Sequence, residues 1–358
     1  MREETISLLR RLTEAHGVTG FEDEVRKIFR ESVSGDTITD KLGSIYVRRE
    51  GTSAAPVIML SAHLDEVGFV VQSLTADGYV KFASLGRVLE STLLAQRMRI
   101  LTDENRTIVG VVASKPIHFA SPADAGGTAS IENMHIDIGA KSAEEAKNKY
   151  GIRVGQPIAF ESSWENVGDS DVFMAKAFDN RVGVGVVISL ANELMQMAHP
   201  NTVYCGANSQ EEIHGRGAAT AVNMLTPDVG IVLEGIPADD FPGSGRDGQQ
   251  GAMGKGVQIR VMDGSAIMNR KLNKFLVDIA EELKIPYQVA VRRSGGTDAS
   301  LINLHNLGVP VAVLGVPVRY THTANSMMDI NDYFHCQALL LEAIKRLDHS
   351  VYKTLIAY

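Results

Sequence analysis

A change of rhythm midway along the chain constrains its fold more than any other feature. Residues 1–66 read as helix, helix, strand, strand, and from about 166 onward strands and helices alternate again. Between them lie short alternating runs punctuated by turn residues: "VGFVVQSL", "GYVKFASLG", "RMRILTDENRTIVGVVAS", "MHIDIG" and "PIAFE". A period of two over such short stretches marks half-buried strands, with "DENR" as a hairpin turn. One helical stretch, "SAEEAKNKY" (142–150), interrupts them and opens on Ser142 as an N-cap with acids in its first turn. Alternating strands and helices imply a parallel or mixed sheet covered on both faces. The expectation is therefore an α/β domain, residues 1–66 and 166–358, carrying an inserted all-β module, 67–165. A length of 358 residues, more than one ordinary core supports, agrees with two units.

In the α/β part, "FEDEVRKIF", "RVGVGVVISLANELMQMA", "NRKLNKFLVDIAEELKI", "TDASLINLHNLG" and "NDYFHCQALLLEAIKRL" read as helices, the last closing the fold. The runs "APVIMLSAHLDE", "TVYCGA", "VGIVLEG", "YQVAVRR" and "VPVAVLGVP" read as strands. A net charge of −8, with no clustered Lys/Arg face, argues against nucleic acid. The longest apolar run, "VGVGVVISLA" (182–191), is far too short to span a membrane, and the charged amino end is no signal peptide. Cys205 and Cys336 fit no metal or redox motif and point to a reducing compartment, the cytoplasm.

Chemistry-bearing side chains recur at the carboxyl ends of the predicted strands, where open α/β sheets gather their sites. "SAHLDE" places His63 and Asp65 two residues apart, on one side of an extended chain. That spacing suits a carboxylate holding the second ring nitrogen of a ligating histidine. "AKAFDNRVGVG" places Asp179 ahead of a helix, where a plain N-cap is the bland explanation. "NSQEEIHG" sets Glu211 beside Glu212, "VGIVLEG" ends a buried run on Glu234, and "VRYTHTANS" carries His322 beyond the last strand. Singly, each has an ordinary account; together they form a cysteine-free set of carboxylates and imidazoles. Such a set suits first-row divalent ions, zinc most simply, with cobalt or manganese as alternatives. It also gives two neighbouring glutamates separate tasks. One can ligate while the other takes a proton from a metal-activated water.

"AHLDEVG", "AFDNRVG", "SQEE", "VLEG", "GGTDA" and "RYTHT" stand in an order and spacing that resembles the M42 family of metallo-aminopeptidases, over nearly the whole chain. The family includes the tetrahedral and the glutamyl or deblocking aminopeptidases. The resemblance implies two divalent ions: His63 and Glu234 on one, Glu212 and His322 on the other, and Asp179 between them. It implies Glu211 as general base on a metal-bridging water, Asp65 orienting His63, and a non-proline cis peptide at Asp179-Asn180. It further implies that the inserted module is PDZ-like and serves assembly into a tetrahedral dodecamer built from dimers. The expected partners are peptide substrates and other copies of the chain.

Two positions depart from the family pattern. Many relatives read "EEVGLRGA" where this chain has "EEIHGRGA", so His214 occupies a usual glycine position. Many also have a glutamate four residues beyond the final histidine, where this chain has Ser326. These departures keep open a non-catalytic or differently specific member as the alternative. Some members carry an endoglucanase label, but a metal-free glycosidase would use two carboxylates about 5–10 Å apart. It would also use aromatic sugar platforms, and the chain has one Trp and 6% aromatics. The glycine-rich stretch 243–258 is no phosphate loop, because Gln249 and Gly256 stand where a glycine and a Ser/Thr are required; it reads as a flexible loop near the site mouth. Asp298 in "SGGTDAS" reads as a cap for the following helix or a substrate-side group.

Overall fold

Val57-Ile58-Met59-Leu60 shows no polar alternation, and the computed structural model explains it: the strand they form has neighbours on both edges and helices over both faces. Residues 2–119, 130–244 and 248–357 are described. In chain order the first strands are β1 (Thr37–Thr39), β2 (Ile45–Glu50) and β3 (Val57–His63). Then come β4 (Gly68–Leu74), β5 (Val80–Leu85), β6 (Arg97–Leu101), β7 (Thr107–Val112), β8 (Ile136–Asp137) and β9 (Pro157–Phe160). The remainder are β10 (Glu165–Asn166), β11 (Val172–Ala175), β12 (Thr202–Asn208), β13 (Val229–Pro237), β14 (Val257–Met262), β15 (Tyr287–Val291), β16 (Val311–Arg319) and β17 (Ser326–Asp329). The helices are α1 (Arg2–Glu14), α2 (Asp23–Ser32), α3 (Ala143–Asn148), α4 (Phe178–Leu194) and α5 (Arg216–Leu225). They continue with α6 (Arg270–Leu283), α7 (Ala299–Asn303), α8 (Ile330–Arg346) and α9 (His349–Ile356).

Among the described residues the large sheet has eleven strands, ordered β1-β2-β12-β3-β13-β16-β17-β11-β10, with β14 and β15 branching from β16. Its centre, β12-β3-β13-β16, is parallel throughout, in a register that sets Asn208 beside His63 and Glu234 beside Gly315. Four strand ends therefore open on one edge, as a doubly covered parallel sheet requires. Helices α1, α4, α6 and α8 pack one face through Leu9, Leu12, Val186, Leu276 and Leu340, while α5 and α7 cover the other through Ala218, Val222 and Ile302. No helix among the described residues is long and apolar enough to cross a membrane.

Strands β4 to β9 close into a separate six-stranded barrel, ordered β4-β5-β8-β7-β6-β9, with its own core around Phe69, Phe82, Ile100 and Ile158. Phe69 meets Phe82 and Phe160 edge to face, with centroids 5.2 and 5.7 Å apart. Ser142 accepts the Glu145 N–H at 3.1 Å and opens α3, the expected cap.

Several expectations need correction. The fold does not close on α8: Asp348 accepts the Val351 N–H at 2.8 Å and starts α9. The stretch 243–258 is not all loop, since β14 begins at Val257; residues 245–247 lie outside the described residues. The buried polar residues Gln258 and Arg260 disguised that strand. Gln258 Nε2 donates to Gln250 O and Arg260 Nη1 to Asp263 Oδ2, while Gln258 Oε1 and Arg260 Nε are buried without a hydrogen-bond partner.

A buried charge cluster ties α1 to the sheet. Lys176, Arg181 and Glu66 are 1, 0 and 2% exposed, and Glu66 Oε1 accepts from Lys176 Nζ at 2.5 Å and Arg181 Nη2 at 3.1 Å. The cations also cap the carboxyl end of α1: Arg181 donates to Leu12 O and Gly17 O, Lys176 to Ala15 O, and Arg99 of the barrel to Glu14 O. Glu66→Gln, which strands two buried cations, is expected to cost about 3–5 kcal/mol of unfolding free energy. Urea denaturation of the metal-free protein measures it, and unchanged stability would contradict the cluster's role.

Candidate metal centre

Asp179 does not cap α4. It has non-helical φ/ψ, and its neighbour Asn180 does the capping, with Oδ1 accepting the Gly183 N–H at 3.1 Å. Asn180 Nδ2 is spent on Leu233 O at 2.6 Å, which pins the start of α4 to β13. The Asp179 carboxylate is thereby left free to face the sheet edge. The peptide joining the two residues is cis, as the resemblance implied. Gly235 makes the close approach possible, because a Cβ there would stand 2.4 Å from Phe178 O.

Asp179 lies between two histidines. Its Oδ1 is 3.2 Å from His63 Nε2, and its Oδ2 is 3.3 Å from His322 Nε2. Glu234 Oε2 is 3.5 Å from His63 Nε2, and Glu212 Oε1 is 3.2 Å from His322 Nε2. Glu211 Oε2 stands farther off, 3.9 Å from His63 Nε2. Donor atoms of His63, Asp179 and Glu212 all fall within 4.8 Å of one another. The structure thus brings together His63, Asp179, Glu211, Glu212, Glu234 and His322 from five separate chain segments.

The second nitrogens of both histidines are held. His63 Nδ1 is 3.0 Å from the main-chain O of Asp65 and 3.4 Å from its carboxylate. His322 Nδ1 is 2.6 Å from the main-chain O of Arg87, in the loop between β5 and β6 of the barrel. Each contact orients Nε2 towards Asp179.

Asp65 does more than its HxD spacing announces. Its carboxylate accepts the Glu211 N–H at 2.9 Å, the Glu212 N–H at 3.1 Å and the Thr19 hydroxyl at 2.8 Å. Glu22, on the same amino-terminal segment, accepts the Gln210 N–H at 3.1 Å, and Ser44 Oγ accepts that of Ser209 at 3.3 Å. The turn carrying both glutamates is therefore held from below at four successive N–H groups. Sequence reading missed Thr19, Glu22 and Ser44, and only Thr19-Gly20 ahead of α2 offered a signal. Gln210 and His214 adopt φ of +57° and +68° within this turn. That left-handed geometry favours glycine at position 214, and His214 itself is exposed. Ser326 is buried; its Oγ donates to Ala175 O at 2.6 Å, and it lines a cavity of about 10 Å³ shared with Asp179 and His322. That space holds about one water.

The electrostatics are those of a site built for positive charge. Burial pushes the Glu211 carboxyl well above its usual range, and Glu234, Asp298 and Glu212 push the same way against His63. Burial likewise raises Glu212 and Glu234. For the imidazoles burial works in the opposite direction, yet their carboxylate neighbours outweigh it. His63 is raised well above the ordinary value by Glu234, Asp179 and Asp65, and His322 to about 11 by Asp179 and Glu212. Asp179 is driven down, its burial outweighed by His322 and His63. Without cations, protons must neutralise this cluster. Glu234 Oε1 is buried with no hydrogen-bond partner, and Glu212 Oε1 faces the His322 imidazole at 3.2 Å; cations would satisfy both carboxylates. The oxygen and nitrogen donor set fits zinc, cobalt or manganese.

Comparison with known proteins follows the same lines. The family profile described as M42 glutamyl aminopeptidase matches residues 43–339, and a short one described as AMPT matches residues 3–29. The chain is 33% identical to lysyl aminopeptidase of Pyrococcus furiosus over 351 residues, 95% of this chain and 98% of that one. Its fold superposes on the crystal structure of a TET aminopeptidase from a marine sediment Thaumarchaeota archaeon with a TM-score of 0.94, at 36% identity and 99% coverage of each chain. It is also similar to PhTET1-12s, solved as a dodecamer in the asymmetric unit, with a TM-score of 0.85, 25% identity, and 96% and 99% coverage.

Proposed function

From the premise that this chain belongs to the M42 family of aminopeptidases, and is a hydrolase of that kind, we propose a dinuclear metal enzyme that removes amino-terminal residues from peptides. The observation that carries the reading is Asp179, one carboxylate oxygen towards each of two oriented histidines. His63 and Glu234 would hold one ion, Glu212 and His322 the other, with Asp179 between. When bound, divalent ions polarise the scissile carbonyl and bring the pKa of a water down to roughly 7.

Every remaining task falls to this chain's own groups. Glu211, the carboxylate set farthest from the imidazoles, accepts the proton of the attacking water and returns it to the leaving amine. Asp65 fixes the main chain of Glu211 and Glu212 and limits the travel of the base. The main-chain oxygens of Asp65 and Arg87 hold His63 and His322 in the tautomer that leaves Nε2 open. Zinc is the simplest occupant, with cobalt or manganese as alternatives.

The domain division belongs to the same proposal: a catalytic part, 1–66 and 166–358, and an inserted PDZ-like part, 67–165, that serves assembly into a tetrahedral dodecamer of dimers. The separate core of the barrel and the dodecameric relative support it. The two free, buried cysteines support a cytoplasmic location.

The test is a panel of lysyl, glutamyl and leucyl chromogenic amides, run with zinc, cobalt and manganese, before and after chelation. Activity is expected on at least one amide, lost on chelation and restored by metal. Silence across the metal-loaded panel would favour a non-catalytic member, and activity resistant to chelation would overturn the metal reading. Mass measurement in solution tests the assembly.

A further inference from the structure

Asp298 is a carboxylate that this reaction leaves without a task. It stands immediately before α7, but its side chain makes no cap hydrogen bond; it turns inward and is 0% exposed. Its Oδ2 accepts from Asn208 Nδ2 at 2.8 Å. Its Oδ1 is buried without a hydrogen-bond partner and faces Gly215, where an added Cβ would stand 2.8 Å from Leu301 Cδ1 and 3.1 Å from Asp298 Oδ1. Asn208 and Gly215 are the two ends of the segment that carries Glu211 and Glu212.

Both ends are otherwise rigid. Asn208 Oδ1 accepts the Tyr46 hydroxyl at 2.6 Å, its Nδ2 also donates to Ser61 Oγ at 2.8 Å, and its main-chain O accepts the Leu64 N–H at 2.7 Å. At the far end the Gly215 N–H closes the turn on Glu211 O at 2.8 Å. Asp65, Glu22 and Ser44 hold the middle of the segment, and the Asp298 carboxyl binds one end at Asn208 and faces the other at Gly215. Packing alone does not call for a carboxyl there, and its burial beside other acids raises its pKa to about 7.

We propose that Asp298 is a positioning residue, a clamp across the base of the turn that sets how far Glu211 reaches towards the reacting atoms. The inference rests on Glu211 being the base. Misplacement of a reacting group by about 1 Å costs on the order of 10²-fold in rate, so the expected effect lies in kcat.

The experiment is a cycle of Asp298→Ala, Asn208→Ala and the double variant, with Asp298→Asn alongside, all in metal-loaded enzyme. Asp298→Ala is expected to lower kcat roughly 10–100-fold, with KM and metal content unchanged and faster amide exchange at residues 211–215. Asp298→Asn keeps an oxygen facing Asn208 and is expected to restore most of kcat. Acting through Asn208, the two alanine changes should not multiply, and the double variant should be no slower than the worse single one. Full kcat with native exchange in Asp298→Ala, multiplicative losses, or an Asp298→Asn as damaged as the alanine would each overturn the clamp. Glu211→Gln serves as the control. If it stays active, the base assignment has failed, and the amide-exchange arm still decides the clamp by itself.

Discussion

Glu211→Gln is expected to lower kcat by roughly 10²–10⁴-fold, the range of a lost general base, while both metals stay bound. Gln keeps the size of the side chain and its turn, since the segment is held through main-chain N–H groups by Asp65 and Glu22. It removes only the ability to take a proton. Glu211 Oε2 is 3.9 Å from the nearest imidazole nitrogen, against 3.2–3.5 Å for Asp179, Glu212 and Glu234, so its loss should not empty the site. Turnover by stopped assay and metal content by elemental analysis must be read together. Near-normal turnover would remove Glu211 from the chemistry, and a parallel loss of metal would make it a ligand.

Asp179→Ala should have the opposite signature. Removing the one carboxylate shared by His63 and His322 is expected to leave at most one ion per chain and to drop turnover to the level of metal-free protein. The fold should survive, because Asn180, not Asp179, caps α4 and binds Leu233 O. Far-ultraviolet circular dichroism checks the fold, and metal analysis after gel filtration checks the occupancy. Retention of two ions would show that Asp179 does not join them.

Much of this arrangement was legible in the sequence because the parallel core of the sheet obeys local rules. β3, β12 and β16 are largely apolar runs that deliver their chemical residues at or just beyond their ends, whereas β13 continues past Glu234 to Pro237, so most strand ends and site residues could be read together. What escaped was carried by long-range contacts. Asp298 looked like a helix cap by position, yet its side chain answers to Asn208, ninety residues earlier. Asp179 looked like a cap too, and only the non-helical turn at Asp179-Asn180 transfers that task to its neighbour. β14 was hidden for a more local reason: it buries the polar side chains of Gln258 and Arg260, whose partners Gln250 and Asp263 lie only eight and three residues away. The role of Asp65 was half visible: His63 sits two residues away, but the amides of Glu211 and Glu212 lie beyond any local signal.

The loop between β5 and β6 reaches out of the barrel and sets the Arg87 carbonyl against His322, while Gly86 lies so near Glu212 that a Cβ there would stand 3.2 Å from the glutamate Cβ. The barrel is thus a wall of the candidate site as well as a unit with its own core. Cutting it away to study the catalytic half alone would slacken one histidine and uncover one glutamate. A shift of the barrel would therefore bear directly on His322 and Glu212.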